Sequence, residues 1–321
     1  MALRPHAKTH KSPEIARLQL GQGAVGLTVA TLGEAEVFAQ HGCTDLFVAY
    51  PVHLDERAAD RLGALARRGR IAIGVDSVEA AARAGRLVAP YGVEVVVEVD
   101  CGQHRTGCPP EQAGTVAVAA ARAGLTVRGV FTFPGHSYAP DATMSAAVDE
   151  ARALATARSV VEDAGLEVSV VSGGSTPSLA GLDTDVVTEA RPGVYVFGDA
   201  QQWELGTMAP DTLALTCRAT VVSHSGGRAV LDSGGKALAA DRAAFSTGSG
   251  RLLDHPDARI VQLSEHHAVV DLAGAPLPRV GDQLDVVPNH CCAAVNLADD
   301  LWVEEDDVLR PWPVAARGRN G

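Results

Sequence analysis

Over about the first 200 residues, short runs of β-branched residues alternate with alanine-rich segments whose apolar positions recur at helical spacing. The runs predict eight strands, at residues 3–8, 25–30, 45–50, 71–75, 94–99, 127–133, 167–171 and 185–189. Between them, helical spacing covers residues 32–40, 55–68, 78–87, 111–123 and 142–164. Cap signals support several helix starts, such as Ser12 before Pro13 and Thr31 with Glu34 three residues later. Eight strands with intervening helices favour an α/β fold of the (β/α)8 TIM barrel type over a doubly wound open sheet.

The pattern changes after Trp203. Short strands are predicted at residues 220–222, 229–232, 259–263, 268–272 and 283–287, separated by Gly, Pro and Asp turns without a long helix. We therefore expect two domains, a barrel at residues 1–202 and an all-β C-terminal domain at residues 203–321.

Composition and charge restrict the function further. The 321 residues carry a formal charge of −12, which argues against a nucleic-acid partner and means that an anionic ligand needs a local site. No apolar run approaches the roughly 20 residues of a membrane span, and the first residues lack the apolar core of a signal peptide. Six scattered cysteines do not form a disulfide framework, so a cytoplasmic location is expected.

Polar clusters lie where the predicted barrel strands end. Lys8 and the segments at residues 100–107, 135–138 and 172–176 each come at or directly after the end of a strand. Because the active residues of a parallel barrel lie at the carboxyl ends of its strands, we expect these side chains to converge on one rim.

The segment at residues 172–176, SGGST, has the composition of a phosphate-binding loop, since glycines let backbone N–H groups approach an anion and hydroxyls add donors. A phosphate loop and a strand-end lysine on one rim suggest pyridoxal phosphate, whose aldehyde needs an amine and whose phosphate needs donors. Lys8 belongs to the predicted strand, whereas Lys11, the alternative, lies in the turn before the next helix.

Further side chains on this rim suit a planar, anionic ligand. Arg105 can pair with an anionic oxygen of cofactor or substrate, and Arg191 follows the last barrel strand. His136 and Tyr138 offer rings that can orient a planar cofactor.

In the second domain, His290 and Cys292 lie two residues apart, on the same side of the chain if the segment is extended. An imidazole and a thiolate suit Zn²⁺, and two protein ligands fit a catalytic site with open positions better than a structural one. The segment Glu265-His266-His267 is a candidate to orient a ligand through a hydrogen bond.

In order along the chain, these motifs resemble the D-serine dehydratase / D-threonine aldolase family of metal-activated fold-type III pyridoxal phosphate enzymes, which is related to alanine racemase. The matching segments are residues 4–11 (RPHAKTHK), 100–107, 135–138 (GHSY), 172–178 (SGGSTPS), 191–193 and 288–297 (PNHCCAAVNL). The resemblance implies an alanine-racemase-like barrel, a β domain and a homodimer. It makes Lys8 the Schiff-base lysine and catalytic base. The resemblance implies that the following residues bind the cofactor: His6, Lys8, Arg105, Tyr138, Gly174, Ser175, Thr176 and Arg191. It implies that His290 and Cys292 bind a divalent metal, Zn²⁺ in preference to Mn²⁺.

The resemblance also implies a lyase that acts on a small-molecule 3-hydroxy-D-amino acid. The His-x-Cys pair resembles the dehydratase branch more than the His-x-Asp pair of the aldolases, so we expect D-serine or D-threonine to give a 2-oxo acid and ammonia. The alternatives are D-threonine aldolase-type cleavage, or dehydration or retro-aldol cleavage of 3-hydroxy-D-aspartate. There are three more remote alternatives. One is an amino-acid racemase, against which the metal pair argues. Another is a pyridoxal phosphate-binding homeostasis protein, against which the β domain argues, and the last is an inactive truncated homologue.

Members of this family carry a strand and a helix before the lysine segment, and this chain starts close to that segment. We therefore expect an apolar groove between the last and first barrel strands, unless another element fills it.

Overall fold

The computed structural model describes residues 1–321, and the chain forms two compact units. Unit 1 comprises Met1–Gly193 with Gly318–Gly321, and unit 2 comprises Val194–Arg317. The division after Gly193 lies slightly before the boundary that the sequence predicts. No helix is both long enough and apolar enough to cross a membrane.

Unit 1 alternates strands with helices. Its strands are β1 (Ala2–Leu3), β2 (Leu27–Val29), β3 (Asp45–Pro51), β4 (Arg70–Val75), β5 (Glu94–Glu98), β6 (Thr126–Phe131), β7 (Val170–Gly173) and β8 (Glu189–Ala190). Its helices are α1 (Pro13–Gly21), α2 (Leu32–Gln40), α3 (Glu56–Ala66), α4 (Val78–Val88), α5 (Ala113–Arg122) and α6 (Thr143–Asp163).

The eight strands form one parallel sheet in the order β1-β8-β7-β6-β5-β4-β3-β2. The chain beyond β1 closes the circle, because His6 forms a parallel bridge with Thr28 of β2. The N–H of Ala7 donates to the Thr28 carbonyl at 2.8 Å, and the N–H of Thr28 donates to the Pro5 carbonyl at 2.9 Å. The predicted α/β barrel is therefore confirmed.

Helix starts in unit 1 follow local capping chemistry. The Thr31 hydroxyl accepts a hydrogen bond from the Glu34 N–H at 3.0 Å, and the Glu34 carboxylate accepts one from the Ala30 N–H at 2.7 Å. Pro13 occupies the first turn of α1, but Ser12 makes no side-chain cap; its hydroxyl donates to Glu14 instead.

The first strand is shorter than predicted, since β1 ends at Leu3 and Lys8 lies in a turn. The prediction that Lys8 belongs to the strand is therefore wrong. Backbone hydrogen bonds continue a little past Leu3, because the N–H groups of Arg4 and His6 donate to the carbonyls of Ala190 and Pro192, each at 2.9 Å. The extended chain ends where the N–H of Lys11 donates to the Ala7 carbonyl at 2.8 Å and closes a turn. Lys8 still lies directly beyond the carboxyl end of the first strand.

The barrel interior carries charge as well as apolar side chains. An apolar layer is formed by Phe47, Ala72, Val96 and Phe131. Arg4 is almost fully buried and donates to the Glu189 carboxylate at 2.7 Å and to the Asp45 carboxylate at 2.6 Å. A buried guanidinium needs such partners, since leaving it unpaired away from water would cost several kcal/mol by order of magnitude.

Unit 2 is built mainly of antiparallel strands and contains only short helices, as the sequence predicts. Its strands are β9 (Cys217–Ser225), β10 (Arg228–Leu231), β11 (Arg251–Leu252), β12 (Arg259–Leu263), β13 (Ala268–Asp271), β14 (Gln283–Val287), β15 (Asp300–Glu305) and β16 (Val308–Pro313). Its helices are α7 (Ala200–Glu204), α8 (Gly235–Leu238) and α9 (Cys291–Val295). Six strands form one sheet in the order β11-β14-β9-β10-β13-β12, and β15 pairs with β16 in a separate hairpin.

Candidate active site

Lys8 lies beside an aromatic pair at the carboxyl end of the barrel. Its ammonium nitrogen is 5.6 Å from the centroid of the Phe133 ring, and the Arg105 guanidinium is 5.3 Å from the same centroid. The Tyr138 ring is 6.4 Å from Phe133 at an interplanar angle of 40°. Two cations and two rings from three separate segments therefore meet at one place, and the sequence predicts this convergence for Lys8, Arg105 and Tyr138 but not for Phe133.

His6 shares this electropositive environment. Burial, followed by the charges of Lys8, Arg191 and Arg105 among others, holds the pKa of His6 well below its usual range. The imidazole is therefore neutral at neutral pH, and its Nδ1 accepts a hydrogen bond from the Lys8 N–H at 3.4 Å. His6 thus contributes a neutral ring next to the predicted cofactor lysine.

The loop after β5 is organised around one carboxylate. Asp100 accepts hydrogen bonds from the N–H groups of Gly102 and His104 at 2.9 and 3.0 Å, and pairs with the His104 ring at 2.7 Å. These bonds outweigh burial and lower the pKa of Asp100. The loop presents Arg105 on an open pocket whose lining includes Glu98, Thr132 and Phe133.

Glu98 is a buried acid in the wall of that pocket. One carboxylate oxygen accepts a hydrogen bond from the Thr106 hydroxyl at 2.9 Å, and the other is buried without a partner. Burial raises the pKa of Glu98 to about 7, although Thr106, Arg191 and Arg105 oppose the shift. At neutral pH this side chain is therefore poised between acid and carboxylate.

Arg191 lies inside the barrel and is held from several sides. Its Nε donates to the Ser172 hydroxyl at 2.8 Å, its terminal nitrogen donates to the Thr132 carbonyl, and its guanidinium is 5.1 Å from the centroid of Phe131. Burial lowers the pKa of Arg191, and the nearby glutamates, Glu189 first among them, oppose that effect. A fixed guanidinium beneath the rim suits a ring nitrogen or an anion.

The predicted phosphate loop follows β7, and its backbone is hydrogen-bonded to helix α6. The Gly174 N–H donates to the buried Glu150 carboxylate of α6 at 2.5 Å, so this donor is already engaged within the protein. The Ser175 hydroxyl lies 2.8 Å from both the Ser137 and Ser178 hydroxyls. Thr176 is nearly buried in the same loop. The phosphate roles of Gly174, Ser175 and Thr176 stay predictions.

Glu150 is the second buried acid at this end of the barrel. A Cβ on Gly173 would stand 2.4 Å from its carboxylate oxygen, which is why a glycine is required there. Burial raises the pKa of Glu150 to about 7, against the Gly174 hydrogen bond and the charge of Arg191. Its second oxygen is buried without a partner.

These residues fit pyridoxal phosphate. Lys8 supplies the amine, the rings of Phe133 and Tyr138 suit a planar heterocycle, and Arg105 and Arg191 supply positive charge. The glycine pair lets the backbone of the loop after β7 be approached closely.

In unit 2, His290 and Cys292 lie together, but not on an extended segment as predicted. His290 is the N-cap of α9 with extended dihedrals, and Cys292 lies in the first turn of that helix. The His290 Nδ1 is 2.6 Å from the Asp241 carboxylate. Burial lowers the pKa of His290, but hydrogen bonds with Asp241 and Cys292 raise it to about 10. The imidazole therefore contacts a carboxylate and lies near the Cys292 thiol.

The expected orienting role of Glu265, His266 and His267 is wrong. Glu265 pairs with Lys236 at 2.8 Å, and both histidines are exposed. Asp241 contacts His290 instead. Asp199 supports the same region, because its carboxylate caps α7 and accepts a hydrogen bond from the Cys291 N–H at 3.2 Å.

The pair fits a metal with open coordination positions. No set of three or more His, Cys, Asp or Glu side chains is arranged to hold an ion. An imidazole oriented by a carboxylate and a neighbouring thiol are donors of the types that Zn²⁺ prefers, and two such donors leave coordination positions open. The assignment of His290 and Cys292 as ligands stays a prediction.

Sequence reasoning missed four residues of these two sites. Phe133 falls only at the end of a predicted strand, and Glu98 only within one. Glu150 carries a usable signal, since it falls on the helix face that contains Ala146, Ala153 and Leu154. Asp241 carries none, because it lies 49 positions before His290 in a segment without a motif.

Comparison with known proteins identifies the family of both domains. Residues 2–201 match the family described as "Alanine racemase, N-terminal domain", and residues 214–303 match "Putative serine dehydratase domain". An uncharacterized Mycobacterium tuberculosis protein is 55% identical over 132 residues, which are 39% of this chain and 99% of that protein. D-threonine aldolase of Arthrobacter sp. is 31% identical over 99% of this chain and 86% of its own length.

D-threo-3-hydroxyaspartate dehydratase of Delftia sp. is 34% identical over 91% of this chain and 83% of its own length. Its solved structure superposes with a TM-score of 0.89 over 98% of this chain and 90% of that one, at 31% identity. Sequence, domain order and fold agree over nearly the whole length. The chain therefore belongs to the D-serine dehydratase / D-threonine aldolase family of alanine-racemase-like, fold-type III pyridoxal phosphate enzymes.

Proposed function

We propose that this protein is a pyridoxal phosphate- and divalent-metal-dependent lyase of 3-hydroxy-D-amino acids, and that it dehydrates 3-hydroxy-D-aspartate. The observation that carries the proposal is the placement of His290 and Cys292 together at the start of α9, with the Asp241 carboxylate 2.6 Å from the His290 Nδ1. Solved structures of D-threo-3-hydroxyaspartate dehydratase include a histidine-to-alanine variant and, two positions further on, a cysteine-to-alanine variant in the metal-free form. The same two residue types at the same spacing support a metal at this pair.

The side chains of unit 1 have distinct tasks in this proposal. Lys8 holds the cofactor and moves the proton at the substrate Cα, since its amine lies beside the ring pair. Arg105 and Arg191 bind anionic groups, and neutral His6 adds no competing charge. When bound, pyridoxal phosphate supplies an electron sink that acidifies the Cα proton, and the metal acts as a Lewis acid on the β-hydroxyl.

An acidic substrate fits the charges of this site better than D-serine does, although D-serine is the substrate that the sequence alone favours. The Lys8 and Arg105 side chains bring two positive charges to one ring in a protein whose net charge is −12. A second substrate carboxylate would gain from this local field, whereas D-serine has none. The Delftia relative bears the name of a 3-hydroxyaspartate dehydratase. The homodimer and the cytoplasmic location stay predictions.

A retro-aldol lyase is the second candidate, because the Arthrobacter relative is a D-threonine aldolase. The two reactions differ in their products. Dehydration of 3-hydroxy-D-aspartate releases water and leaves an enamine that becomes an imine, and hydrolysis of this imine takes up water and gives oxaloacetate and ammonia. Retro-aldol cleavage gives glycine and glyoxylate instead.

The deciding experiment supplies protein loaded with pyridoxal phosphate and Zn²⁺ or Mn²⁺ with 3-hydroxy-D-aspartate, D-threonine and D-serine. Ammonia, 2-oxo acid, glycine and aldehyde are measured separately. We expect ammonia and oxaloacetate in equal amounts from 3-hydroxy-D-aspartate. Aldehyde with glycine and no ammonia would refute dehydration, and activity that survives complete chelation would refute the metal.

The lysine assignment is tested by borohydride reduction, which fixes the cofactor to the lysine that holds it. The chain contains three lysines, at positions 8, 11 and 236, so peptide mapping gives an unambiguous answer. We expect the label on Lys8 and none after Lys8→Ala. Lys236→Ala is the matched control, because Lys236 forms an exposed pair with Glu265. A label on Lys11 would overturn the assignment.

A further inference from the structure

Residues 318–321 lie far from Lys8 in the sequence but pack into unit 1. The Arg319 carbonyl accepts a hydrogen bond from the Thr31 hydroxyl at 2.6 Å, and the Gly321 carbonyl accepts one from the Gly33 N–H at 3.1 Å. The Arg61 guanidinium donates to the same Gly321 oxygen at 3.0 Å. The segment therefore lies across the first turn of α2.

The same segment reaches the turn that carries Lys8. The Asn320 side-chain oxygen accepts a hydrogen bond from the Lys11 ammonium at 3.2 Å. Lys11 is only 5% exposed and has a positive φ of 51°, so its backbone is held in a conformation that an ordinary residue rarely adopts. Its N–H closes the turn onto the Ala7 carbonyl.

A buried carboxylate links the two regions. Glu34 in the first turn of α2 is 3.3 Å from the Lys11 ammonium, and the side chains are 2% and 7% exposed, respectively. Burial raises the pKa of Glu34, while the charges of Lys11 and, less strongly, Lys8 oppose that shift. Glu34 is therefore within electrostatic reach of both lysines.

We propose that residues 318–321, here called the clasp, position the turn that carries Lys8. Asn320 of the clasp accepts a hydrogen bond from the Lys11 ammonium, which also pairs with Glu34. Lys11 holds a turn with a positive φ, and its buried ammonium is held less firmly when one of its acceptors, the Asn320 oxygen, is removed. The clasp thereby fixes the origin of the Lys8 side chain. Asn320 and Lys11 are positioning residues, and the consequence for the cofactor rests on the proposed role of Lys8.

Glycine at position 33 gives a way to open the clasp without touching the turn. A Cβ there would stand 2.8 Å from the Gly321 oxygen and 3.1 Å from the Arg319 Cβ. Gly33→Ala should expel the clasp while favouring the helix itself, because alanine has the better helix propensity. Gly21→Ala is the matched control, since a Cβ at that helical glycine meets nothing within 4 Å.

The first measurement uses the full chain without cofactor. Trypsin cleavage after Arg319 reports whether the clasp is displaced, and hydrogen exchange of peptides covering residues 7–11 reports on the turn. For Gly33→Ala and Asn320→Ala we expect faster cleavage and exchange of the turn amides about tenfold faster, the effect of losing one charge-assisted hydrogen bond. Asn320→Asp keeps the acceptor oxygen and should restore slow exchange, and Gly21→Ala should match the wild type.

The second measurement uses the protein loaded with pyridoxal phosphate. The pH midpoint of the visible absorption of the lysine-linked cofactor should shift in Asn320→Ala and return in Asn320→Asp. Faster cleavage with unchanged turn exchange would overturn the proposal, and so would cleavage that neither substitution accelerates. The hydrogen-exchange measurement needs no cofactor, so its outcome is independent of the proposed lyase activity.

Discussion

Replacing Glu150 by glutamine should change how the stability of unit 1 depends on pH. The Glu150 carboxyl is fully buried, and its pKa is raised from the ordinary value of 4.5 to about 7. Between these values the folded protein keeps a proton that the unfolded chain has released. By linkage, the free energy of unfolding falls as pH rises through this window and is level above it.

The magnitude follows from the size of the shift. A difference of about 2.5 pKa units at about 1.4 kcal/mol per unit gives a loss of roughly 3 kcal/mol between acid and mildly alkaline pH. The glutamine side chain of Glu150→Gln cannot ionise and keeps an oxygen for the Gly174 N–H, so this variant lacks the loss. The free energy of unfolding of Glu150→Gln, relative to that of the wild type, should therefore rise by roughly 3 kcal/mol between pH 4.5 and pH 8. This change does not depend on what the substitution costs at pH 4.5.

The choice of signal matters in this assay. All three tryptophans, Trp203, Trp302 and Trp312, lie in unit 2, so their fluorescence reports on that unit. The long helices lie in unit 1, so urea unfolding is followed there by far-ultraviolet circular dichroism. Glu111→Gln, at an exposed glutamate of unit 1, controls for the loss of one charge. Parallel stability curves for the wild type and Glu150→Gln from pH 4.5 to 8 would refute the reasoning.

Three further substitutions test other contacts. Arg4→Met removes the guanidinium that pairs with the buried Glu189 and the partly buried Asp45 and should destabilise unit 1 by about 3 kcal/mol in urea unfolding; an unchanged midpoint would contradict a stabilising role of the Arg4 pairs. Asp241→Asn should weaken Zn²⁺ binding about 10- to 100-fold in a chelator competition, because it removes the carboxylate that orients His290; equal affinity would exclude that role. Gly173→Ala should cost about 1–3 kcal/mol because its Cβ meets the Glu150 oxygen, and the cost should shrink in a Glu150→Ala background if the clash is its cause.

The sequence was sufficient for those parts of the fold that rest on local periodicity. The β-branched runs at β3, β4 and β5 are continuous because parallel strands are buried on both faces, and their bounds differ from prediction by at most a residue or two. The end of β1 was not predictable in this way. It depends on the bridge of His6 to β2, which is a tertiary contact, and on the Lys11–Ala7 hydrogen bond, which closes a local turn at a positive φ that no glycine marks.

The candidate site also contains residues whose positions could be predicted from the sequence and residues whose positions could not. Lys8, Arg105 and Tyr138 were found because each follows a strand, and a barrel brings strand ends together whatever the details of packing. The extended geometry expected for His290 and Cys292 failed because α9 begins directly after His290. Two adjacent cysteines and two alanines in a short segment give no periodicity from which such a helix could be inferred.

The two buried acids give unit 1 a local charge that differs from that of the whole protein. With a net charge of −12, the protein repels an anion at long range. Lys8, Arg105 and Arg191 are cationic, whereas Glu98 and Glu150, with pKa values of about 7, are partly neutral at neutral pH. The three cations are therefore opposed by the ionised Asp100 and only in part by Glu98 and Glu150, and the small positive charge that remains is screened over about 8–10 Å at physiological salt. Such a short-range field attracts only an anion already at the rim, which suits a tightly held phosphate and a dicarboxylic substrate better than a substrate without a second carboxylate.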